Sequence, residues 1–147
     1  MKDNLFAGAH QSLPDFACAQ RFFIPKYQRG YRWKENQIND LLNDIDRFTP
    51  SNDEDKNSWY CLQPLVVKQS EDGWRLIDGQ QRLTSIKLIL HYLNKNFFYA
   101  NPLQLYPINY ETRGKDEEWL TIVEDEKRAD DNIDYTHIYT VYQAIKK

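Results

Sequence analysis

Asp78-Gly79-Gln80-Gln81-Arg82 is the stretch in which residue types and spacing concentrate the most chemistry. It lies between a β-type run ending at Ile77 and a helical pattern starting near Leu83. The first turn of a helix leaves backbone N–H groups unpaired and carries a partial positive charge, which makes a ready anion site. Gly79 lets a ligand approach the backbone closely. Arg82, one turn in, could clamp a phosphate with its planar fork of donors. Gln80 and Gln81 offer neutral amides to a ribose, a base or an attacking water. Asp78 could hold a divalent metal such as Mg²⁺, or orient that water by accepting its hydrogen bond. The same residues also support a structural reading. Asp78 followed three residues later by Gln81 fits a variant capping box, with Gln81 reaching back to the cap's own N–H. The two readings are compatible, and capping leaves Gln80 and Arg82 over.

A second cluster spans Phe23 to Trp33, where Lys26, Arg29 and Arg32 alternate with Tyr27, Tyr31 and Trp33. Basic groups interleaved with flat rings can stack bases and neutralise phosphates, a local patch suited to DNA. Tyr31 and Trp33 are candidate substrate contacts. The structural alternative is a loop pinned to the core by Tyr27, Tyr31 and Trp33, its cations solvated. Both clusters lie at strand-to-helix junctions, so one shared pocket is expected. Other candidates carry less. His10, His91 and His137 lack the spacing of a zinc site, and Cys18 and Cys61 form no metal or redox pair. Ser85 has no nucleophile-elbow glycines around it, and there is no Walker-type phosphate loop.

The elements that must position these residues can be read from periodicity. Arg21 to Ile24 is a short β-prone run halted by Pro25. Ile38, Leu41, Leu42, Ile45 and Phe48 recur at helical spacing from Glu35 to Phe48. Pro50 to Ser58 reads as an exposed loop. Trp59 to Val67 and Trp74 to Ile77 flank Asp72-Gly73, which predicts an antiparallel hairpin. Leu83, Ile86, Leu90 and Leu93 then predict a helix to about Asn94, so a strand feeds a helix across Asp78-Gly79. Tyr106 to Tyr110 reads as a further strand, Lys115 to Val123 as a short helix and Glu124 to Asp134 as a charged loop. A final helix from Tyr135 meets no Gly or Pro stop, so the chain is expected to continue beyond Lys147.

The chain has 147 residues, enough for one domain, with 41% hydrophobic and 28% charged residues, a globular rather than disordered balance. Its net charge of -3 excludes a global positive field for nucleic acid. No window reaches the length of a membrane span, and nothing resembles an export signal. A cytoplasmic protein with reduced thiols and no membrane partner is expected. The element order predicts an α+β fold, a small mixed β-sheet flanked by helices.

The pair Ile24-Pro25-Lys26-Tyr27-Gln28-Arg29-Gly30-Tyr31-Arg32-Trp33 and Leu76-Ile77-Asp78-Gly79-Gln80-Gln81-Arg82-Leu83-Thr84-Ser85 resembles the N-terminal domain of GmrSD-type restriction proteins. Tyr110 to Arg113 and Asn132 to Ile138 are similar to that family's downstream motifs. The resemblance runs from about Leu13 onward and implies a ParB/sulfiredoxin-like fold and a role in defence against foreign, often modified, DNA. It implies a single domain that binds and hydrolyses a nucleoside triphosphate with Mg²⁺, as the N-terminal part of a longer protein. A separate C-terminal HNH-type nuclease region, absent from this sequence, would cut the DNA. By motif match Asp78, Gln80, Gln81 and Arg82 are the implied hydrolysis set. Tyr27, Gln28 and Arg29 line the same pocket, joined in the two motifs by Ile24, Pro25, Gly79 and Thr84. The alternative is a non-catalytic module that senses DNA or a modified base and regulates a partner nuclease.

Overall fold

Residues 22–24 form a three-residue strand whose alternate side chains, Phe22 and Ile24, are both buried, so one of its faces packs on the core. The computed structural model describes residues 21–49, 60–111, 120, 123–129, 131 and 133–147. Its elements are β1 (Phe22–Ile24), α1 (Glu35–Arg47), β2 (Val66–Ser70), β3 (Gly73–Asp78), α2 (Gln80–Asn96), β4 (Ile108–Tyr110), α3 (Glu126–Ala129) and α4 (Ile133–Ile145). The sheet runs β2-β3-β1-β4. β2 and β3 are antiparallel, while β1 is parallel to both β3 and β4. This is the expected α+β fold with a small mixed sheet.

The hairpin forms, with two shifts. β2 begins at Val66 rather than Trp59: Pro64 cannot donate to a ladder, and Leu62 and Leu65 reach the core from irregular backbone instead. The turn is Glu71-Asp72, one residue earlier than expected. Gly73 opens β3 at φ 139°, where a side chain would strike the Arg21 carbonyl. That close approach lets Trp74 N donate to Arg21 O at 2.9 Å, which brings β1 alongside.

α1 buries Ile38 and Leu41 and packs on α4, but Ile45 at the end of its apolar stripe stays exposed. β4 starts two residues later than expected. Tyr106 instead turns into the core, its hydroxyl donating to Leu83 O at 2.7 Å, and Pro107 O accepts Phe22 N at 3.0 Å. The expected charged loop from Glu124 contains α3 and the start of α4. Thr136 Oγ1 joins the two by donating to Ala129 O at 2.9 Å. Of the expected helix from Lys115 to Val123 only Leu120 and Val123 are described; the loop from Pro50 to Ser58, His10 and Cys18 lie outside the described residues.

α2 is the axis of the molecule and, unusually, buries polar side chains beside Leu83 and Leu88. Buried hydroxyls and amines are costly unless paired, and these are paired. Thr84 Oγ1 meets the Tyr110 hydroxyl at 2.8 Å, and Ser85 Oγ meets the Tyr31 hydroxyl at 2.7 Å. Lys87 Nζ donates to Tyr106 O at 2.6 Å. Burial pushes the Lys87 ammonium down to about 7 from its ordinary 10.5.

That shift predicts a pH dependence of stability. Between the two values the unfolded chain holds a proton that the folded chain has lost, so stability rises with pH across this window. Below it both states are protonated, and the fold carries the cost of a buried charge. Urea midpoints are expected to be higher at pH 9 than at pH 6.5, and Lys87→Met is expected to flatten that difference.

Candidate functional site

The strand-to-helix handover turns on one residue. β3 ends at Asp78, α2 starts at Gln80, and Gly79 between them is left-handed at φ 93°. Only glycine adopts this freely, and Leu65 occupies the space a side chain would need. The first intrahelical bond is Leu83 N to Gly79 O at 2.9 Å. The N–H groups of Gln80, Gln81 and Arg82 precede it and have no partner within the helix. The capping-box reading of Asp78 and Gln81 does not hold. The cap position is Gly79, which has no side chain, and Gln81 turns to another task. The Asp78 carboxylate is exposed and accepts no hydrogen bond among the described residues.

Against this junction lies the irregular segment between β1 and α1, stitched by amide side chains. Gln28 Nε2 donates to Ile77 O at 2.8 Å and Gln80 Nε2 to Arg29 O at 2.8 Å. Gln81 uses both ends of its amide: Nε2 donates to Gly30 O at 3.0 Å, and Oε1 accepts Arg32 N at 2.7 Å. On the far side the Arg32 guanidinium donates to Asp134 of α4, whose carboxylate lies against Gly30.

The two motif segments thereby share a cavity of about 340 Å³, as expected. Gln28, Arg29 and Trp33 line it from the loop and Asp78 through Arg82 from the junction, with Gln63 beside them. Its size falls in the range of small-ligand clefts, ~300–1,000 Å³. Two arginines, Arg29 and Arg82, and the N-terminal residues of α2 line it against one acidic residue, Asp78, a charge balance that favours an anion. Gln80 is 7% exposed, and its Oε1 is a buried acceptor with no hydrogen-bond partner among the described residues.

Several expected site residues stand elsewhere. Ile24 and Pro25 are buried in or beside the core, and Tyr27 is 70% exposed outside the cavity lining. Tyr31 is fully buried with its hydroxyl on Ser85, and Thr84 is fully buried against Tyr110. Both support α2 rather than line the cavity; of the two candidate substrate contacts only Trp33 lines it. Sequence reasoning missed Gln63, which receives both Arg82 donors, Nη1 on its carbonyl at 3.1 Å and Nη2 on Oε1 at 2.5 Å. Nothing in the irregular run around Pro64 signals that partnership. Among the described residues no group of three His, Cys, Asp or Glu side chains could cage a metal. Asp78 alone offers the cavity a carboxylate.

The sequence profile of the family described as GmrSD restriction endonuclease, N-terminal domain, matches residues 5–147. The chain belongs to this family. No curated protein and no solved structure matches it. In this GmrSD N-terminal domain the cavity falls on the two motifs that first suggested the family. No helix among the described residues is long and apolar enough to cross a membrane.

Two substitutions test this account of the junction. Gly79→Ala is expected to lower stability by about 1–3 kcal/mol, because it strains a left-handed position and displaces Leu65. Asp78→Ala should stay within roughly 0.5 kcal/mol of wild type, as for a surface residue without partners. Loss of a helix cap would cost about 1 kcal/mol. Urea unfolding of both variants measures the contrast.

Proposed function

We propose that this GmrSD N-terminal domain binds a nucleoside triphosphate in the cavity at the mouth of α2 and hydrolyses it, as part of a restriction-type protein acting on foreign or modified DNA. The observation that carries the reading is convergence. Arg29 and Arg82 come from separate segments and line one cavity together with the residues that open α2, whose N–H groups have no partner within the helix. Phosphoryl transfer asks a protein mainly for positioning and charge stabilisation, and this set supplies both. The guanidiniums and the helix mouth hold the phosphates. Trp33 offers a flat face to a base.

Asp78 accepts a hydrogen bond from the attacking water and takes its proton as the water oxygen bonds the terminal phosphorus and the anhydride P–O bond breaks, releasing the nucleoside diphosphate; the proton then passes to solvent or to the released phosphate. Mg²⁺ commonly arrives with phosphates and needs only one or two protein carboxylates, which Asp78 fits, and it would offset charge on the phosphoryl oxygens. The ParB/sulfiredoxin-like fold and a C-terminal HNH-type nuclease partner belong to the same proposal.

One observation favours a second reading. Tyr27 is 70% exposed, flanked by exposed Lys26 and close to Arg29 in the chain, a surface suited to a nucleic-acid backbone. A non-catalytic DNA-sensing module that regulates a nuclease would bind DNA in a salt-dependent way without turnover.

Phosphate release from ATP and GTP, with Mg²⁺, separates the readings. Asp78→Ala and Arg82→Ala are each expected to lower kcat/KM by roughly 10²-fold, the scale of losing one preorganised electrostatic contact. Equal release from wild type and both variants would defeat the hydrolytic reading.

A further inference from the structure

Gln81 belongs by sequence to the set expected to touch the reacting phosphate, yet both ends of its amide are occupied by backbone. Nε2 donates to Gly30 O and Oε1 accepts Arg32 N. The loop presents one acceptor and one donor, so the amide has a single orientation that satisfies both, and flipping it would set N–H against N–H and oxygen against oxygen. Segment 28–32 forms no regular element of its own, and its peptide groups need partners. Gln81 pairs with residues 30 and 32, as a neighbouring strand would, and so fixes the backbone on the C-terminal side of Arg29. Gln80 Nε2 holds the Arg29 carbonyl itself, and Gln28 Nε2 anchors the residue before to Ile77 O.

We infer that the Gln81 side chain positions the anion site: its amide holds the backbone beside Arg29 in place against the cavity and does not contact the ligand. This rests on the reading of the cavity as a phosphate site. Tyr31, fully buried and bonded to Ser85, keeps the loop attached to α2 independently of Gln81. Loss of the Gln81 amide therefore loosens the placement of Arg29 without detaching the segment. Arg82 is braced separately, by Gln63, and its share of binding does not depend on Gln81.

The experiment is a pair of double-mutant cycles on the full chain, with inorganic tripolyphosphate as the probe and calorimetric titration as the readout. Gln81→Leu and Arg29→Ala are each expected to weaken binding by about tenfold, the order of one lost charge-assisted contact. Combined, they should weaken it no more than Arg29→Ala alone, whereas Gln81→Leu with Arg82→Ala should be additive. Thermal melting of Gln81→Leu should show one cooperative transition. Full additivity with Arg29→Ala, wild-type binding by Gln81→Leu, or coupling to Arg82 as strong as to Arg29 overturns the inference. The reading of the cavity as a phosphate site fails separately, if Arg29→Ala and Arg82→Ala both bind like wild type.

Discussion

The structure depends on one requirement: the backbone of the irregular segment between β1 and α1 must find hydrogen-bond partners without joining the sheet. Two glutamines meet it, and a third ties the segment to the sheet. Gln80 and Gln81 reach back from the first turn of α2 to the Arg29 and Gly30 carbonyls and the Arg32 N–H, while Gln28 donates its own amide to Ile77 O near the end of β3. Amide side chains suit this because each carries a donor and an acceptor and no charge, so burial does not demand a counter-ion. Arg29 and Trp33 come to the cavity because the peptides around them are fixed in this way. A carboxylate at position 81 could not donate to Gly30 O, and an aliphatic side chain would leave both loop groups unpaired.

Charge is distributed to the same end. The chain as a whole is slightly acidic, with a net charge of -3, yet the cavity is lined by two arginines and a helix N-terminus against one acidic residue. Other cations are engaged elsewhere: Arg32 with Asp134, Arg75 with Glu111 and Lys95 with Glu124. The hydrogen bond from Lys95 holds the Glu124 carboxyl below its usual range. Positive potential is therefore local, which favours a compact anion over an extended polyanion.

Much of this was legible in the sequence, and the limits have physical causes. The handover from strand to helix at Asp78-Gly79 was readable because the period changes from two to 3.6 residues across a glycine. α1 was readable from its stripe, although Ile45 falls beyond the surface that α4 covers. The shared cavity was readable because both motifs sit at equivalent junctions. Roles within it were not. Tyr31 and Thr84 read as site residues by their place in the motifs, but tertiary contacts with Ser85 and Tyr110 draw them inward. Gln63 carries no local signal, since what matters is its meeting with Arg82 across the fold. α3 is a four-residue turn in a charged run, too short to have a period.

The place of β1 has a consequence for how the molecule is assembled. The earliest strand in the described chain is interior to the sheet, and both its partners, β3 and β4, are parallel and arrive much later. The hairpin and α2 are local and can form as a contiguous unit, whereas both pairings of β1 close long stretches of chain. During synthesis, Phe22 and Ile24 stay unburied until the ribosome has delivered the hairpin, a natural interval for chaperone engagement.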